Sequence, residues 1–212
     1  MLQTVFLVFM LLHLTGCDTA PIEETDGPVF EVTLAEGLVE EPQDGRLLLM
    51  LSTNADDEPR FQIGNDPDSQ LIFGLNVEGW DGSHAVRVDA SAIGFPLPDL
   101  SEVPSGTYYA QALLNRYKDY RLANGKVVSL PPDRGEGQQW QHKPGNLYST
   151  PVEIAIADGE SPLSITIDQV IPEIVPPTDT EYVRHVRLRS ELLSAFWGED
   201  VYLGAHVLLP HG

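Results

Sequence analysis

Apolar and polar residues alternate in short segments along most of the chain, and turn-forming residues separate these segments. In Leu163–Asp168 the leucine and the isoleucines occupy every second position, so one strand face would meet a core and the other water. No long apolar period of helical spacing competes with this pattern. The predicted strands are Phe30–Leu34, Arg46–Ser52, Gln70–Val77, Ala85–Val88, Thr107–Asn115, Lys126–Leu130, Val152–Ala157 and Leu163–Val170.

A succession of short strands without intervening helices predicts the fold class. We expect an all-β protein, an antiparallel β-sandwich of immunoglobulin or fibronectin type, rather than a parallel α/β sheet. The turn at Pro104–Gly106 leads into a strand through Tyr108 and Tyr109. A tyrosine at such a place can reach back to backbone groups at the sheet corner, so we expect one of the two to be structural.

Prolines separate the last part of the chain from the predicted sandwich. After Pro172, Pro176 and Pro177 the pattern predicts a basic strand, a helical turn and an apolar strand, at Tyr182–Arg189, Glu191–Phe196 and Val201–Leu209 respectively. The last strand is predicted to be apolar on both faces and therefore needs cover on both sides. Residues after about Pro176 are expected to be poorly ordered or self-associating, while Phe30–Ile171 folds alone.

The N-terminal segment carries an export signal. The only cysteine, Cys17, ends the run Leu14-Thr15-Gly16-Cys17 after the apolar stretch Val5–Leu12, and this resembles the lipobox of bacterial lipoproteins. The stretch is shorter than the about 20 residues that span a membrane. The resemblance implies cleavage before Cys17, which becomes the diacylated and then N-acylated first residue, and attachment to the periplasmic face of the inner or outer membrane. A buried core thiol in an ordinary helix is the alternative.

Four parts follow from these boundaries. They are a signal peptide at 1–17, an acidic tether at 18–28, the β-sandwich at 29–175, and a linker with a short strand-turn-strand tail at 176–212. The chain of 212 residues carries 32 acidic and 12 basic side chains, a formal net charge of −20. Such a surface repels nucleic acid and anionic lipid headgroups, so nucleic acid is not an expected partner.

Catalytic and metal-binding signatures are sparse. The chain contains no G-x-S-x-G nucleophile elbow and no H-E-x-x-H motif, and we predict neither a catalytic residue nor a cofactor. Ser83 and His84 are adjacent and are expected to point in different directions, which would prevent a proton relay. The weak calcium candidates are acidic residues expected to flank one short strand without the spacing of an EF-hand: Asp56, Asp57, Glu58, Asp66 and Asp68.

The loop from Pro131 to Thr150 is unusual in combining charged, amide and aromatic side chains with glycines. It can be a ligand-binding or interdomain loop. Equally, Trp140 can simply seal the end of the sandwich while Gly145 and Asn146 make a turn. The candidate site residues are Arg134, Gln139, Trp140, His142, Asn146 and Tyr148.

Three phrases of the sequence resemble one family. Gly106–Asn115, Gly135–Trp140 and Pro144–Ser149 look like the N-terminal β-sandwich module of large bacterial esterase-like lipoproteins, in which an α/β-hydrolase domain follows. The tail at Phe196–Gly198 and Val201–Pro210 is similar to the opening strands of that hydrolase domain, and the resemblance runs from about Gly45 to the end.

The resemblance implies an accessory, non-catalytic module that positions substrate or packs on a hydrolase domain. The chain is then either a part of such an esterase or a shortened relative. The elbow and the later Asp and His of the family do not occur in the sequence, so no catalytic residue is carried over. The alternative function is a stand-alone envelope lipoprotein that binds carbohydrate or another envelope component through its loops.

Overall fold

The computed structural model describes residues 27–133, 139–157, 162–175 and 177–210. Four predicted features lie outside the described residues: Cys17 of the predicted lipobox, the predicted signal peptide, most of the predicted tether and the candidate site residue Arg134. The predicted all-β class is confirmed, because β-strands are the main regular structure of the described chain.

The elements agree closely with the alternation in the sequence. Phe30–Leu34 is a strand with the predicted bounds, and the helical turn is an α-helix that extends to Trp197. The strands are β1 Phe30–Leu34, β2 Gln43–Ser52, β3 Leu71–Trp80, β4 Val86–Val88, β5 Ile93–Phe95, β6 Gly106–Arg116, β7 Lys118–Arg121, β8 Val127–Leu130, β9 Leu147–Tyr148, β10 Val152–Ile156, β11 Leu163–Ile167, β12 Gln169–Val170, β13 Val183–Arg189 and β14 Tyr202–Leu208. The helices are α1 Glu191–Trp197 and the 3-10 helices Pro59–Phe61 and Leu100–Glu102.

Two sheets form the body of the protein. The larger sheet has the order β12-β9-β6-β2-β3-β5, and β10 pairs with the same edge of β6 as β9 does, further towards the start of β6. The smaller sheet has the order β11-β1-β4. Strand β6 is central because it pairs antiparallel with β2 along one edge and with β9 and β10 along the other.

One strand pair corrects the expectation of a purely antiparallel arrangement. Strands β1 and β11 pair in parallel, with Phe30 opposite Leu163 and Leu34 opposite Ile167. Parallel neighbours require a connection longer than a hairpin, and here most of the body lies between the two strands in sequence. Alternation predicts that a segment is a strand but carries no information about the direction of its neighbour.

The main core lies between the two sheets. Ile165 and Ile167 of β11 are buried while Ser164 and Thr166 are exposed, as the alternation predicts. The larger sheet contributes alternate residues of β2 and β6 to the same cluster. The fully buried residues with the largest side chains in this cluster include Phe30, Leu47, Leu49, Leu51, Phe73, Trp80, Leu100, Leu114 and Ile167.

A second, smaller core covers the outer face of the larger sheet. Leu48, Met50 and Leu113 point away from the main core, and Ile171 joins them. The loop that contains Trp140 and the region around the 3-10 helix Pro59–Phe61 close over this face. Strand β2 is therefore buried on both faces over most of its length.

The C-terminal tail folds as a separate two-stranded unit. Strands β13 and β14 pair antiparallel from Val183–Leu208 to Arg189–Tyr202, and α1 connects them. We call β13, α1 and β14 the ribbon. Within the described part of the chain, neither hydrophobic cluster of the body includes a ribbon residue. The tail thus forms the predicted strand, helical turn and strand, and lies outside the cores.

The ribbon touches the body through the hairpin of β7 and β8. The rings of Tyr120 and Trp197 lie 5.4 Å apart in an edge-to-face contact. The amide of Ala123 donates to the carbonyl of Phe196 at 3.0 Å, and Lys118 forms an ion pair with Glu199. This hairpin therefore attaches the tail to the body. The sequence pattern predicts its second strand, β8, but not its first, β7.

No helix among the described residues combines the length and the apolar character that crossing a membrane requires.

Candidate functional site

Tyr108 occupies the corner that the sequence predicts. Its side chain is buried, and its hydroxyl donates to the carbonyl of Pro104 at 2.9 Å. Burial raises the pKa of this phenol above its ordinary value. The geometry confirms the structural role of Tyr108, which fastens the turn before β6 to the body.

The loop around Trp140 uses its polar groups within the protein. Asn146 is fully buried, accepts from the amide of Arg116 at 3.0 Å, and donates to the carbonyl of Trp140 at 2.8 Å. Lys143 is also buried and donates to Asn115 Oδ1 at 2.9 Å and to the carbonyl of Arg116 at 2.7 Å. These contacts tie the loop to the end of β6.

The aromatic side chains of the same loop pack inward. Trp140 and Tyr148 are partly buried and contact the second core. His142 and Gln139 are exposed, and His142 stacks on Phe61 with ring centroids 4.8 Å apart. This packing favours the hypothesis that Trp140 seals the sandwich over the hypothesis that the loop binds a ligand or another domain.

A partly buried ion pair beside this loop is not predictable from the sequence pattern. The guanidinium of Arg60 lies between two aromatic rings, 4.4 Å from the Phe61 centroid and 4.1 Å from the Tyr148 centroid. Its Nε lies 2.8 Å from Glu58 Oε2 in an ion pair without hydrogen-bond geometry, and that oxygen accepts from Gln111 Nε2 at 2.7 Å. Gln111 in turn accepts from the amide of Arg60 at 3.0 Å.

A polar residue in an apolar strand is the one available signal for this network. Gln111 stands between alanines in the strand Gly106–Arg116 and is fully buried on its outer face. A buried amide must find partners, so its presence indicates a polar group packed against that face. The identity of Arg60 as the partner depends on contacts across 51 positions of sequence.

The calcium candidates are not brought together. Asp56, Asp57, Asp66 and Asp68 are exposed, and they flank a 3-10 helix rather than the predicted strand. Asp57 and Asp66 accept from nearby backbone amides, as turn residues commonly do. Across the described ranges, no three His, Cys, Asp or Glu side chains form a group suited to a metal ion.

The turn at Asp81–His84 corrects one geometric expectation. Ser83 Oγ lies 3.2 Å from His84 Nδ1, so the two adjacent side chains do meet. Hydrogen bonds from Ser83 lower the pKa of Asp81. The serine thus stands between the carboxylate and the imidazole, whereas a catalytic relay places the histidine between the acid and the nucleophile.

An acidic cleft of about 390 Å³ opens where β2 and β3 meet the hairpin of β7 and β8. Asp44, Glu78 and Asp119 contribute carboxylates, and Tyr117 lies on one wall. Asp44 Oδ1 accepts from the amide of Gly79 at 2.6 Å, so this carboxylate also holds the end of β3. The sequence pattern gives no signal for this cleft, because its lining residues come from four separate segments of the chain, at β2, β3, β7 and β8.

One face of the ribbon presents a group of exposed apolar side chains to solvent, with Arg184 at one end opposite Val207. Cross-strand pairing places Leu188 and Leu203 opposite each other, with Val207 further along the same face, and their exposed fractions are 62%, 53% and 41%. The other face carries Arg187, stacked over Tyr202 at 4.0 Å, and is mixed in character. The last strand itself has exposed apolar side chains on both faces, as predicted, because Leu208 of β14, 78% exposed, lies on this second face. We call the first face the apolar ribbon face.

Comparisons of the chain with protein-family models, with curated proteins and with solved structures find no match in any of the three. The resemblance to esterase-like lipoproteins therefore stays a prediction.

Proposed function

We propose that the chain is an accessory, non-catalytic β-sandwich module, of immunoglobulin or fibronectin type, in a lipid-anchored esterase-like protein. In this proposal the ribbon packs on a hydrolase domain. The observation that carries it is the apolar ribbon face, where Leu188, Leu203 and Val207 are exposed together. Contiguous exposed apolar surface is typical of a site that another protein surface covers.

The helix of the ribbon also exposes apolar side chains. Leu192 is 86% exposed and Phe196 is 50% exposed, although both are large apolar residues. The helix is nonetheless well defined at both ends, because Ser190 caps its first turn and Gly198 ends it in the left-handed conformation. An element with such fixed ends and so little burial suits an interdomain contact.

The contacts of the loop at 131–150 favour a packing role for this loop over ligand binding. Asn146 and Trp140, two of the candidate ligand residues, are engaged in hydrogen bonds and core contacts of the protein itself. His142 and Gln139 alone, of the candidates within the described residues, are exposed. The stand-alone carbohydrate-binding function is thus the less supported of the two.

The coding sequence directly downstream provides the test. An in-frame continuation that encodes a G-x-S-x-G elbow supports the proposal. A stop codon followed by an unrelated gene contradicts it.

Where that continuation exists, the longer protein tests the ribbon itself. Leu203→Glu places a charge in the proposed interface and should separate the thermal unfolding of the two parts into distinct transitions. The matched control is Ile93→Glu, because Ile93 is 73% exposed on β5 of the body. Equal effects of the two substitutions would contradict packing through the ribbon.

The lipid anchor is tested separately. We expect Cys17→Ser to move the protein from the membrane fraction to the soluble fraction in a host that processes lipoproteins, because the acyl chains provide the membrane affinity. Unchanged fractionation would exclude acylation at Cys17.

We also expect the isolated chain to hydrolyse no simple aryl ester above background, since it contains no nucleophile elbow. Turnover that Ser83→Ala abolishes would show instead that the Asp81–His84 turn is catalytic.

A further inference from the structure

Two histidines of the ribbon face each other across its strands. His185 and His206 are direct partners in the register of β13 and β14, and their ring centroids are 4.6 Å apart. The backbone bonds from Leu209 to Tyr182 and from Ser190 to Val201, each 2.8 Å, mark hydrogen-bonded pairs at the two ends of the ribbon.

Hydrogen-bonded and non-hydrogen-bonded pairs alternate along an antiparallel ladder. Counting inwards from Tyr182–Leu209 makes His185–His206 a non-hydrogen-bonded pair. In such pairs the Cα atoms are about 4.5 Å apart and the side chains are at their closest. The two imidazoles are therefore held on one face by backbone pairing alone.

A carboxylate stands behind one of the rings. Asp179 Oδ1 lies 3.1 Å from His185 Nδ1 and also accepts from the backbone amide of His185 at 2.8 Å. A proton on Nδ1 that points at the carboxylate leaves the lone pair on Nε2. Metal-binding histidines almost always have such a partner on the second ring nitrogen, since it fixes the tautomer and strengthens the ligand.

The surroundings leave room for an ion. His206 is exposed, and the side chain of His185 is 20% exposed, so neither ring is filling a hydrophobic core. Two imidazoles that bind one tetrahedral zinc ion at about 2 Å place their ring centroids about 5 Å apart. The observed separation is close to this, and a rotation of the exposed His206 ring can direct its nitrogen to the same point.

We propose that His185 and His206 bind a divalent transition-metal ion, zinc in the first instance, and that Asp179 positions His185 for it. Water completes the coordination, because no third protein ligand joins the two histidines within the described residues. The ion links β13 to β14 and stabilises the ribbon. Two protein ligands make this a weaker site than a structural zinc site with four.

The experiment is calorimetric titration of the tag-free soluble chain with zinc sulfate, followed by thermal melting with and without zinc. We expect one site, and a melting transition that rises with zinc concentration because the ion binds the folded state. His185→Gln and His206→Gln should each weaken binding at least tenfold. Asp179→Asn should weaken binding about tenfold, as loss of a supporting carboxylate does.

The matched control is His84→Gln, because His84 is also exposed but belongs to a turn of the body. It should bind zinc as the unmodified chain does. His206→Gln removes an exposed side chain, and its circular dichroism spectrum checks that the ribbon still folds. Absence of zinc binding, or equal binding by His206→Gln and the unmodified chain, would overturn the proposal.

Discussion

The hydroxyl of Tyr108 stabilises the turn before β6, and substitution of the neighbouring Tyr109 provides a control for this role. Tyr108→Phe removes the hydrogen bond to Pro104 and should lower the free energy of unfolding by about 1 kcal/mol, the ordinary net value of such a bond. Tyr109→Phe removes a hydrogen bond to the exposed Glu153 at the protein surface and should cost less than about 0.5 kcal/mol. Urea denaturation of both variants measures the difference, and equal effects would refute a special role for Tyr108.

Substitution of Trp140 tests whether this side chain seals the sandwich or is free to bind a ligand. Trp140→Ala should lower the free energy of unfolding by about 2 kcal/mol, because the indole packs on the second core while remaining partly exposed. The control is His142→Ala, which removes an exposed ring from the same loop and should cost less than about 0.5 kcal/mol. If Trp140→Ala leaves stability unchanged, the side chain is free for a ligand and the sealing role is wrong.

At the scale of elements, a close approach between β2 and β6 depends on one glycine. A Cβ atom at Gly45 would lie 2.3 Å from the carbonyl oxygen of Asn115, which backbone pairing holds in place. Gly45→Ala should therefore cost about 2 kcal/mol or more in unfolding free energy. Gly204→Ala is the matched control, because a Cβ there meets nothing within 4 Å. Thermal melts compare the two, and a neutral Gly45→Ala would mean that the strands can separate without loss.

The elements that alternation predicts are those with one buried and one exposed face. Strand β1 has the predicted bounds, whereas the predicted strand Leu163–Val170 is divided into β11 and β12, which belong to different sheets. Strand β7, with the sequence Lys-Asp-Tyr-Arg, has no apolar face, and β9 is two residues long, so neither carries a periodic signal. Tertiary pairing makes these segments strands, and sequence pattern alone does not reveal it.

The candidate site, too, is predictable from the sequence only in part. The sequence identifies the loop around Trp140 as unusual, but its role is decided by Asn146 and by the second core, which assemble from distant segments. Likewise Arg60 meets Gln111 and Tyr148 only once β6 and the loop are in place. The His185–His206 pair depends on the register of the ribbon, and spacing along the chain does not predict register.

At the scale of the whole molecule, the body and the ribbon differ in how they are held. The body encloses two hydrophobic clusters, whereas the ribbon is attached through the Tyr120–Trp197 contact, the Lys118–Glu199 ion pair and one backbone bond to Ala123. Exposed ion pairs contribute little to stability, about 0 to 1 kcal/mol. The body should therefore fold without the ribbon, and the apolar ribbon face should be the surface that associates.

The most direct test compares the chain that begins after Cys17 with one that also ends at Ile174, by thermal melting and light scattering. Removal of the ribbon should lower the melting temperature by less than about 3 °C and abolish concentration-dependent association. A decrease of more than about 5 °C, about 1 to 2 kcal/mol for a domain of this size, would contradict the account. In that case the ribbon would belong to the folded body and would not be a surface kept for another domain.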